Sequence, residues 1–179
     1  RNIKVSENNS SYYTMENTLL RKDFSVLVKY FGTDKDYTVP DGILIIAGGA
    51  FSNNSTLRTI NIPDSVIEIY EGAFCDCVNL KTINLPDSVV RIKRDAFIRC
   101  SELRCVNIPN NIKTICGNAF TNCENLEQVK LPENLVLIQA FAFYNCVKLK
   151  NLYIPESVKY IHPATFLECN DLIIITPKG

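Results

Sequence analysis

The feature that most constrains the fold of this chain is the recurrence of particular side chains every 23 residues. Leucines, phenylalanines and prolines each form a column at this spacing, and five of the eight cysteines form a fourth. The columns are Leu57, Leu80, Leu103, Leu126, Leu149 and Leu172; Phe51, Phe74, Phe97, Phe120, Phe143 and Phe166; Pro40, Pro63, Pro86, Pro109, Pro132 and Pro155; and Cys77, Cys100, Cys123, Cys146 and Cys169. Such a period predicts a stack of similar units, each packed against its neighbours.

One unit, read from Leu57, contains both a strand signal and a turn signal. Ile60 and Ile62 alternate with polar residues, which predicts a short strand with one buried face. Pro63 follows directly and has no N–H for a ladder, so the strand is expected to end there. Three later residues have the spacing of one face of a helical turn: Ala73, Phe74 and Cys77. Stacked units therefore predict an α/β solenoid, with a curved parallel β-sheet on the concave side and short helical turns on the convex side.

The order of residues in the repeat, Leu-x-x-Ile-x-Ile-Pro-x-Ser-Val-x-x-Ile followed by Ala-Phe-x-x-Cys-x-x-Leu, resembles the BspA-like leucine-rich repeats of bacterial and protist surface proteins. The resemblance runs from about Asp36 to Leu172 and implies a leucine-rich-repeat array of about six 23-residue units over residues 36–179. Three departures occur near its two ends: Asn54 stands in the cysteine column, Thr165 replaces the alanine before Phe166, and Pro177 comes one position early.

The first 35 residues fit the repeat less closely. Ile3 and Val5 align with the strand isoleucines of a unit, so residues 1–35 are expected to contain the end of a preceding repeat. Two further strands are predicted, from Tyr12 to Leu20 and from Val26 to Phe31, around a turn at residues 22–25. This arrangement resembles the β-hairpin that interrupts BspA-like arrays, although Phe24 stands where that family usually has glycine.

The periodic cysteines predict buried thiols and not a metal site. Each lies beside an alanine and a phenylalanine on the inward face, and a free cysteine packs as a small hydrophobe. There is no Cys-x-x-Cys pair, and His162 is the single histidine, so no zinc site and no cofactor are expected. Cys75, Cys105 and Cys116 lie outside the period, and the last two align with surface positions of other units.

Charge and side-chain chemistry argue against several classes of function. Nineteen basic and nineteen acidic residues cancel, with no long block of one sign, so nucleic acid and anionic membranes are not expected as partners. No apolar stretch reaches the roughly 20 residues that span a bilayer, and residues 1–4 do not begin a signal peptide, so any export signal is expected outside this fragment. Nucleophilic catalysis requires a base held against a nucleophile. A single histidine followed by proline does not provide one, so no catalytic residues and no enzyme activity are expected.

The concave face is the predicted partner-binding surface. Its two outward columns are polar in the N-terminal half, gain a lysine and a tyrosine further along, and are expected to end at Ile174 and Thr176. An exposed tyrosine on a rigid sheet is a typical anchor for a partner. The candidate site consists of Asn61, Asn84, Asn107, Gln128, Lys130, Asn151 and Tyr153. The same residues are equally compatible with a surface that has no ligand.

Three functional hypotheses remain. The resemblance implies an extracellular or cell-surface scaffold that binds proteins or mediates adhesion, with host or extracellular-matrix proteins or other microbes as partners. A structural spacer without a ligand of its own is the first alternative. An intracellular interaction module is the second, because unpaired thiols persist best in a reducing compartment.

Overall fold

The structure, a computed structural model of the 179-residue chain, describes residues 3–23 and 25–177. It forms a parallel β-solenoid of about seven turns. In chain order the strands are β1 (Tyr12–Met15), β2 (Thr18–Arg21), β3 (Val26–Tyr30), β4 (Asp36–Thr38), β5 (Ile45–Ile46), β6 (Thr59–Asn61), β7 (Glu68–Ile69), β8 (Thr82–Asn84), β9 (Arg91–Ile92), β10 (Cys105–Asn107), β11 (Thr114–Ile115), β12 (Gln128–Lys130), β13 (Leu137–Ile138), β14 (Asn151–Tyr153), β15 (Tyr160–Ile161) and β16 (Ile173–Ile175).

Most repeats contribute two short strands, and most of these strands pair in parallel with their equivalents in the neighbouring repeats. Thr59 pairs with Thr82 in the first set, and Glu68 pairs with Arg91 in the second. The first strands form a five-stranded sheet in the order β12-β10-β8-β6-β4 and a separate pair, β14-β16. The second strands form the sheets β1-β2-β3-β5-β7-β9 and β11-β13-β15. The outward surface of β4, β6, β8, β10, β12, β14 and β16 is the first-strand face, which the sequence predicts to be concave.

The predicted helical turns are wrong, because the described residues contain strands and turns and no helix. The N–H of Ala73 donates to the carbonyl three residues earlier at 3.2 Å, whereas the N–H of Phe74 donates to Ala96 of the next repeat at 2.8 Å. Gly72 and Asp76 also have left-handed φ angles, of 60° and 59°. A helix requires an uninterrupted right-handed backbone that bonds only within itself. These turns instead direct alternate donors into the neighbouring repeat.

The core is a continuous column of stacked phenylalanine rings. Five rings, from Phe51 to Phe143, are fully buried, and successive centroids lie 5.0, 5.2, 5.3 and 5.4 Å apart with nearly parallel planes. This spacing follows the separation of about 4.8 Å between neighbouring strands. Tyr30 and Tyr37 close the column at its N-terminal end, with centroids 5.4 and 5.5 Å from Phe51. The stacked phenylalanines therefore tie each repeat to the next.

The N-terminal segment contains three strands in place of the two predicted. The span from Tyr12 to Leu20 divides into β1 and β2 at a turn where Glu16 has a φ of 50°, and β2 then pairs antiparallel with β3. Because β3 runs parallel to β5, this meander joins the sheet of second strands. Residues 3–11 form no strand, and Phe24 lies outside the described residues. The division of the chain at residues 35 and 36 stays a prediction.

The last repeat is one residue shorter than the others. Asn151 pairs with Ile173 and Tyr153 pairs with Ile175, a spacing of 22 residues in place of 23. This shift accounts for the early position of Pro177. It also corrects the two outward columns, which end at Ile173 and Ile175 and not at Ile174 and Thr176.

Candidate functional site

The structure places all seven predicted site residues on the first-strand face, where their side chains are exposed. The alternation is direct in β8, where Ile83 is buried between exposed Thr82 and Asn84. In-register pairing brings the columns together: Asn61 lies beside Asn84, and Asn107 lies beside Lys130. The seven residues therefore share one surface, and a ligand for it stays a prediction.

Three of the seven residues line one groove, of about 770 Å³, at the C-terminal end of this face: Gln128, Asn151 and Tyr153. Three charged side chains, those of Glu127, Lys148 and Lys150, line the same groove. The groove forms where the five-stranded sheet ends at β12 and the next ladder begins at β14. Asn61, Asn84, Asn107 and Lys130 lie outside it. The structure thus divides the predicted site into three residues that line a groove and four that lie outside it.

The fold also gathers charges that are scattered along the sequence. In the six repeats from β4 to β14, the residue directly before the first strand is basic in all but one: Lys35, Arg58, Lys81, Arg104, Glu127 and Lys150. These positions are adjacent in space, because the N–H of Arg58 donates to the carbonyl of Lys35 at 2.6 Å and that of Lys81 to the carbonyl of Arg58 at 2.8 Å. The residue after each proline is mainly acidic: Asp41, Asp64, Asp87, Asn110, Glu133 and Glu156. The first-strand face is therefore bordered by a basic edge and an acidic edge.

This charge segregation was missed by sequence reasoning, which considered only runs of consecutive residues. The signal that would have revealed it is the 23-residue period itself, applied to charged residues as it was to the apolar ones.

The five periodic cysteines are buried, and each thiol donates a hydrogen bond to a phenylalanine carbonyl of the preceding turn, at 3.0–3.3 Å. Burial raises the pKa of Cys77 to about 12 and also raises the pKa of Cys100 and Cys123. The prediction of buried thiols is confirmed. Cys105 is exposed on the first-strand face, whereas Cys75 and Cys116 are half-buried.

Within residues 3–23 and 25–177, no three or more His, Cys, Asp or Glu side chains are grouped so that they could hold a metal ion. The same residues include no helix of the length and hydropathy needed to cross a membrane.

The 23-residue repeat, the solenoid fold and the buried columns of phenylalanine and cysteine are those of a leucine-rich-repeat protein. The family model for the BspA type leucine rich repeat region matches residues 33–117 and 92–178 in six copies, so the chain belongs to this family of leucine-rich-repeat proteins. No curated protein matches the sequence significantly.

Solved structures are similar over nearly the whole chain. The leucine rich repeat protein of T. pallidum, TpLRR, is 26% identical with a TM-score of 0.82, and the alignment covers 98% of this chain and 84% of that one. A leucine rich cell surface protein of Faecalibacterium prausnitzii is 27% identical with a TM-score of 0.69, over 96% of this chain and 56% of its own. The pneumococcal vaccine antigen PcpA, 23% identical with a TM-score of 0.80, shares the fold over 97% of this chain and 44% of its own. This chain thus spans about half of the length of the latter two proteins.

Proposed function

We propose that this protein is an extracellular, cell-surface scaffold without catalytic activity that binds a partner protein of the host or the extracellular matrix. The observation that carries the proposal is the groove lined by Gln128, Asn151 and Tyr153. It is a preformed concavity on a rigid sheet, and it combines an exposed aromatic ring with amide and charged groups. Interfaces concentrate their binding energy in such aromatic anchors.

The rigidity of the first-strand face favours binding. Its strands are fixed by backbone ladders and by the buried core behind them, so a partner would order few side chains on docking. The tyrosine is 45% exposed, which leaves its ring available to fill a pocket on a partner. The description of the Faecalibacterium prausnitzii protein as a cell surface protein supports a location at the surface.

The test compares two triple variants on the same face. In the first, Gln128, Asn151 and Tyr153 become alanine; in the second, Asn61, Asn84 and Asn107 become alanine outside the groove. Each variant is assayed for binding to immobilised extracellular-matrix proteins by biolayer interferometry, after circular dichroism shows that it is folded. The groove variant should lose about tenfold or more in affinity, and the second should change little.

A third variant tests whether binding depends on residues beside the second strands and not on the first-strand face. Ile67, Val90 and Lys113 are exposed beside the second strands of three consecutive repeats, and their replacement by Ser, Ser and Ala should leave binding unchanged. Loss of binding in this variant but not in the groove variant would overturn the choice of face. An unmodified chain that binds none of the matrix proteins would overturn the proposal in favour of a spacer.

A further inference from the structure

A second concavity, of about 470 Å³, lies between the second strands and the turns that follow them, and it contributes nothing to the groove described above. Its floor forms because two consecutive repeats have small residues, Gly117 and Ala140, where the two repeats before them have Glu71 and Arg94. A Cβ at position 117 would lie 3.3 Å from the carbonyl oxygen of Ala140, so the close packing of the two turns favours glycine there. The wall is aromatic: Phe141, Tyr160 and His162.

Phe141 is a bulky residue in a repeat column that otherwise holds small or polar residues, and packing in the core does not explain it. The equivalent position has a left-handed backbone in Gly49, Gly72, Asp95 and Asn118, with φ from 57° to 64°. These are the residue types that tolerate this conformation, whereas a bulky side chain is strained in it. Phe141 has a φ of 59°, and the residue is 41% exposed. The strain is thus not compensated by full burial, and strained residues of this kind cluster at ligand sites.

The exposed rings of the concavity are held in fixed orientations. The ring of Phe141 packs edge-on against Tyr144, with centroids 6.0 Å apart and planes at 82°. Tyr160, which is 53% exposed, packs edge-on against His162 at 6.5 Å and 77°. The concavity therefore offers rigid apolar ring faces to a ligand. A saturated ring whose C–H groups form an apolar face, such as that of a pyranose sugar, stacks well on the electron-rich face of an aromatic ring.

Three polar side chains around these rings offer hydrogen-bond donors. Arg94 is the one charged side chain that lines the concavity, and among the described residues no carboxylate lies within ion-pair distance of it. The Oε1 of Gln139 accepts the N–H of Gly117 at 2.9 Å, which leaves its amide N–H groups as donors. The Nδ1 of His162 accepts the N–H of Ala164 at 3.1 Å, so the neutral ring carries its proton on Nε2. This set of groups favours a ligand that has acceptors and a negative charge.

Several main-chain groups at the floor are already paired within the fold. The carbonyl of Gly117 accepts the N–H of Asp95 at 3.2 Å, and the carbonyl of Ala140 accepts the N–H of Asn118, also at 3.2 Å. The N–H of Phe141 is used in the same way, as a donor to Ala164 at 3.3 Å. A peptide would find few partners for its own backbone groups here, and unpaired groups cost free energy. Recognition then comes mainly from side chains, which favours a sugar.

We propose that this concavity binds an acidic sugar residue of a glycan. The apolar face of the sugar ring stacks on the exposed aromatic wall of Phe141 and Tyr160. Its carboxylate pairs with the guanidinium of Arg94, a contact stronger than one between neutral groups. Its hydroxyl oxygens accept hydrogen bonds from Gln139 and His162. The site is independent of the proposed protein-binding groove, which contains none of these residues.

The experiment uses methyl β-glucuronide and its neutral counterpart, methyl β-glucoside, as probes. Binding is followed by saturation-transfer NMR and by titration of the intact chain. The glucuronide should bind about tenfold more tightly than the glucoside. Arg94→Gln should remove this preference and leave weak binding of both sugars.

Phe141→Gly separates a binding role from a structural one. Glycine relieves the backbone strain, so the variant should unfold at the same temperature as the unmodified chain or higher, while losing glucuronide binding. The matched control is Asn53→Gly, which changes another left-handed residue, at φ 60°, far along the stack and should keep binding intact. The proposal is overturned if Phe141→Gly binds the glucuronide normally, if the two sugars bind equally, or if neither binds. Tighter binding of a short peptide with a C-terminal phenylalanine than of the glucuronide would overturn it as well.

Discussion

The thiol of Cys123 donates a hydrogen bond to the carbonyl oxygen of Phe97 in the preceding turn, at 3.3 Å. The same relationship recurs at every periodic cysteine, so the two residue columns that identify the repeat are also joined to each other. A cysteine at this position fills the apolar space of the core and supplies a donor that alanine would not. This explains why the column is occupied by cysteine in five consecutive repeats.

The first prediction concerns the order in which the thiols react. Cys105 is exposed and should be labelled first by an alkylating reagent, because its sulfur is accessible to the reagent. Cys116 and Cys75 are half-buried, and burial raises the pKa of both thiols, to about 11 for Cys75, so they should react more slowly. The five buried thiols should react only on unfolding. Mass spectrometry of peptides after timed labelling gives the order, and fast labelling of Cys100 or Cys123 in the native chain would contradict it.

The second prediction is loss of stability at alkaline pH. The pKa of Cys77 is raised to about 12 in the folded chain, against an ordinary value of about 8.5 for an unfolded cysteine. Between these values the unfolded state loses a proton that the folded state keeps. The stabilisation is thus complete below about pH 8.5 and falls as pH rises, by about 1.4 kcal/mol per pH unit for each such thiol.

Denaturant unfolding between about pH 8 and 10.5 measures this effect. Cys77→Ala should make the free energy of unfolding fall less steeply with pH, by the amount that one thiol contributes. This holds whatever the effect of the change on stability at neutral pH. An identical decline in the variant and in the unmodified chain would show that Cys77 ionises at its ordinary pKa in the fold.

The third prediction concerns the phenylalanine column. Phe97 is fully buried between the rings of Phe74 and Phe120, so Phe97→Ala should lower the free energy of unfolding by about 3–5 kcal/mol through the cavity that it leaves. Phe166, at the end of the column, is only partly buried, and the same change there should cost less. Arg104→Ala, at an exposed position, is the control. Urea unfolding that gives Phe97→Ala and Arg104→Ala equal losses would contradict the role of the rings as the spine.

The repeat period predicted which side chains are buried and which are exposed, because like residues stack on like in any solenoid of fixed repeat length. It did not distinguish a helical turn from the observed turn, since Ala73, Phe74 and Cys77 face inward in both. The difference lies in the left-handed backbone at Gly72 and Asp76, and asparagine, aspartate and glycine at such positions were the available signal. The second strands were also missed, because two residues such as Glu68 and Ile69 are too few to show an alternation.

The candidate sites were predictable to different degrees. Tyr153 was found because a departure from a polar column on an outward face is visible in aligned repeats, and Gln128 because it occupies an outward column of the same face. The groove that they line was not predictable, because it depends on the break between β12 and β14. Phe141 was missed although its column otherwise holds glycine, aspartate and asparagine up to that repeat. Glycine, aspartate and asparagine in one column indicate a left-handed backbone, so a phenylalanine in that column is expected to be strained.

The fourth prediction concerns Asn54, which occupies the cysteine column in the repeat next to the N-terminal meander. Its Nδ2 donates to the carbonyl of Gly32 at 3.1 Å, so the asparagine supplies a donor to the preceding turn, as the thiols do. Its Oδ1 accepts the N–H groups of Thr56 and Leu57, both at 3.0 Å, which fixes the turn before the next strand. Asn54→Ala removes all of these bonds and leaves part-buried backbone groups unpaired, so it should destabilise the chain by about 2–3 kcal/mol.

Asn54→Asp serves as the informative comparison, because it keeps the acceptor for Thr56 and Leu57 but replaces the donor to Gly32 with a carboxylate oxygen. It should retain part of the stability that alanine loses. Hydrogen exchange then locates the damage: in Asn54→Asp, protection should fall around Gly32, whereas Asn54→Ala should also expose the N–H groups of Thr56 and Leu57. If both variants unfold at the same denaturant concentration as the unmodified chain, Asn54 does not perform the role of the cysteine column.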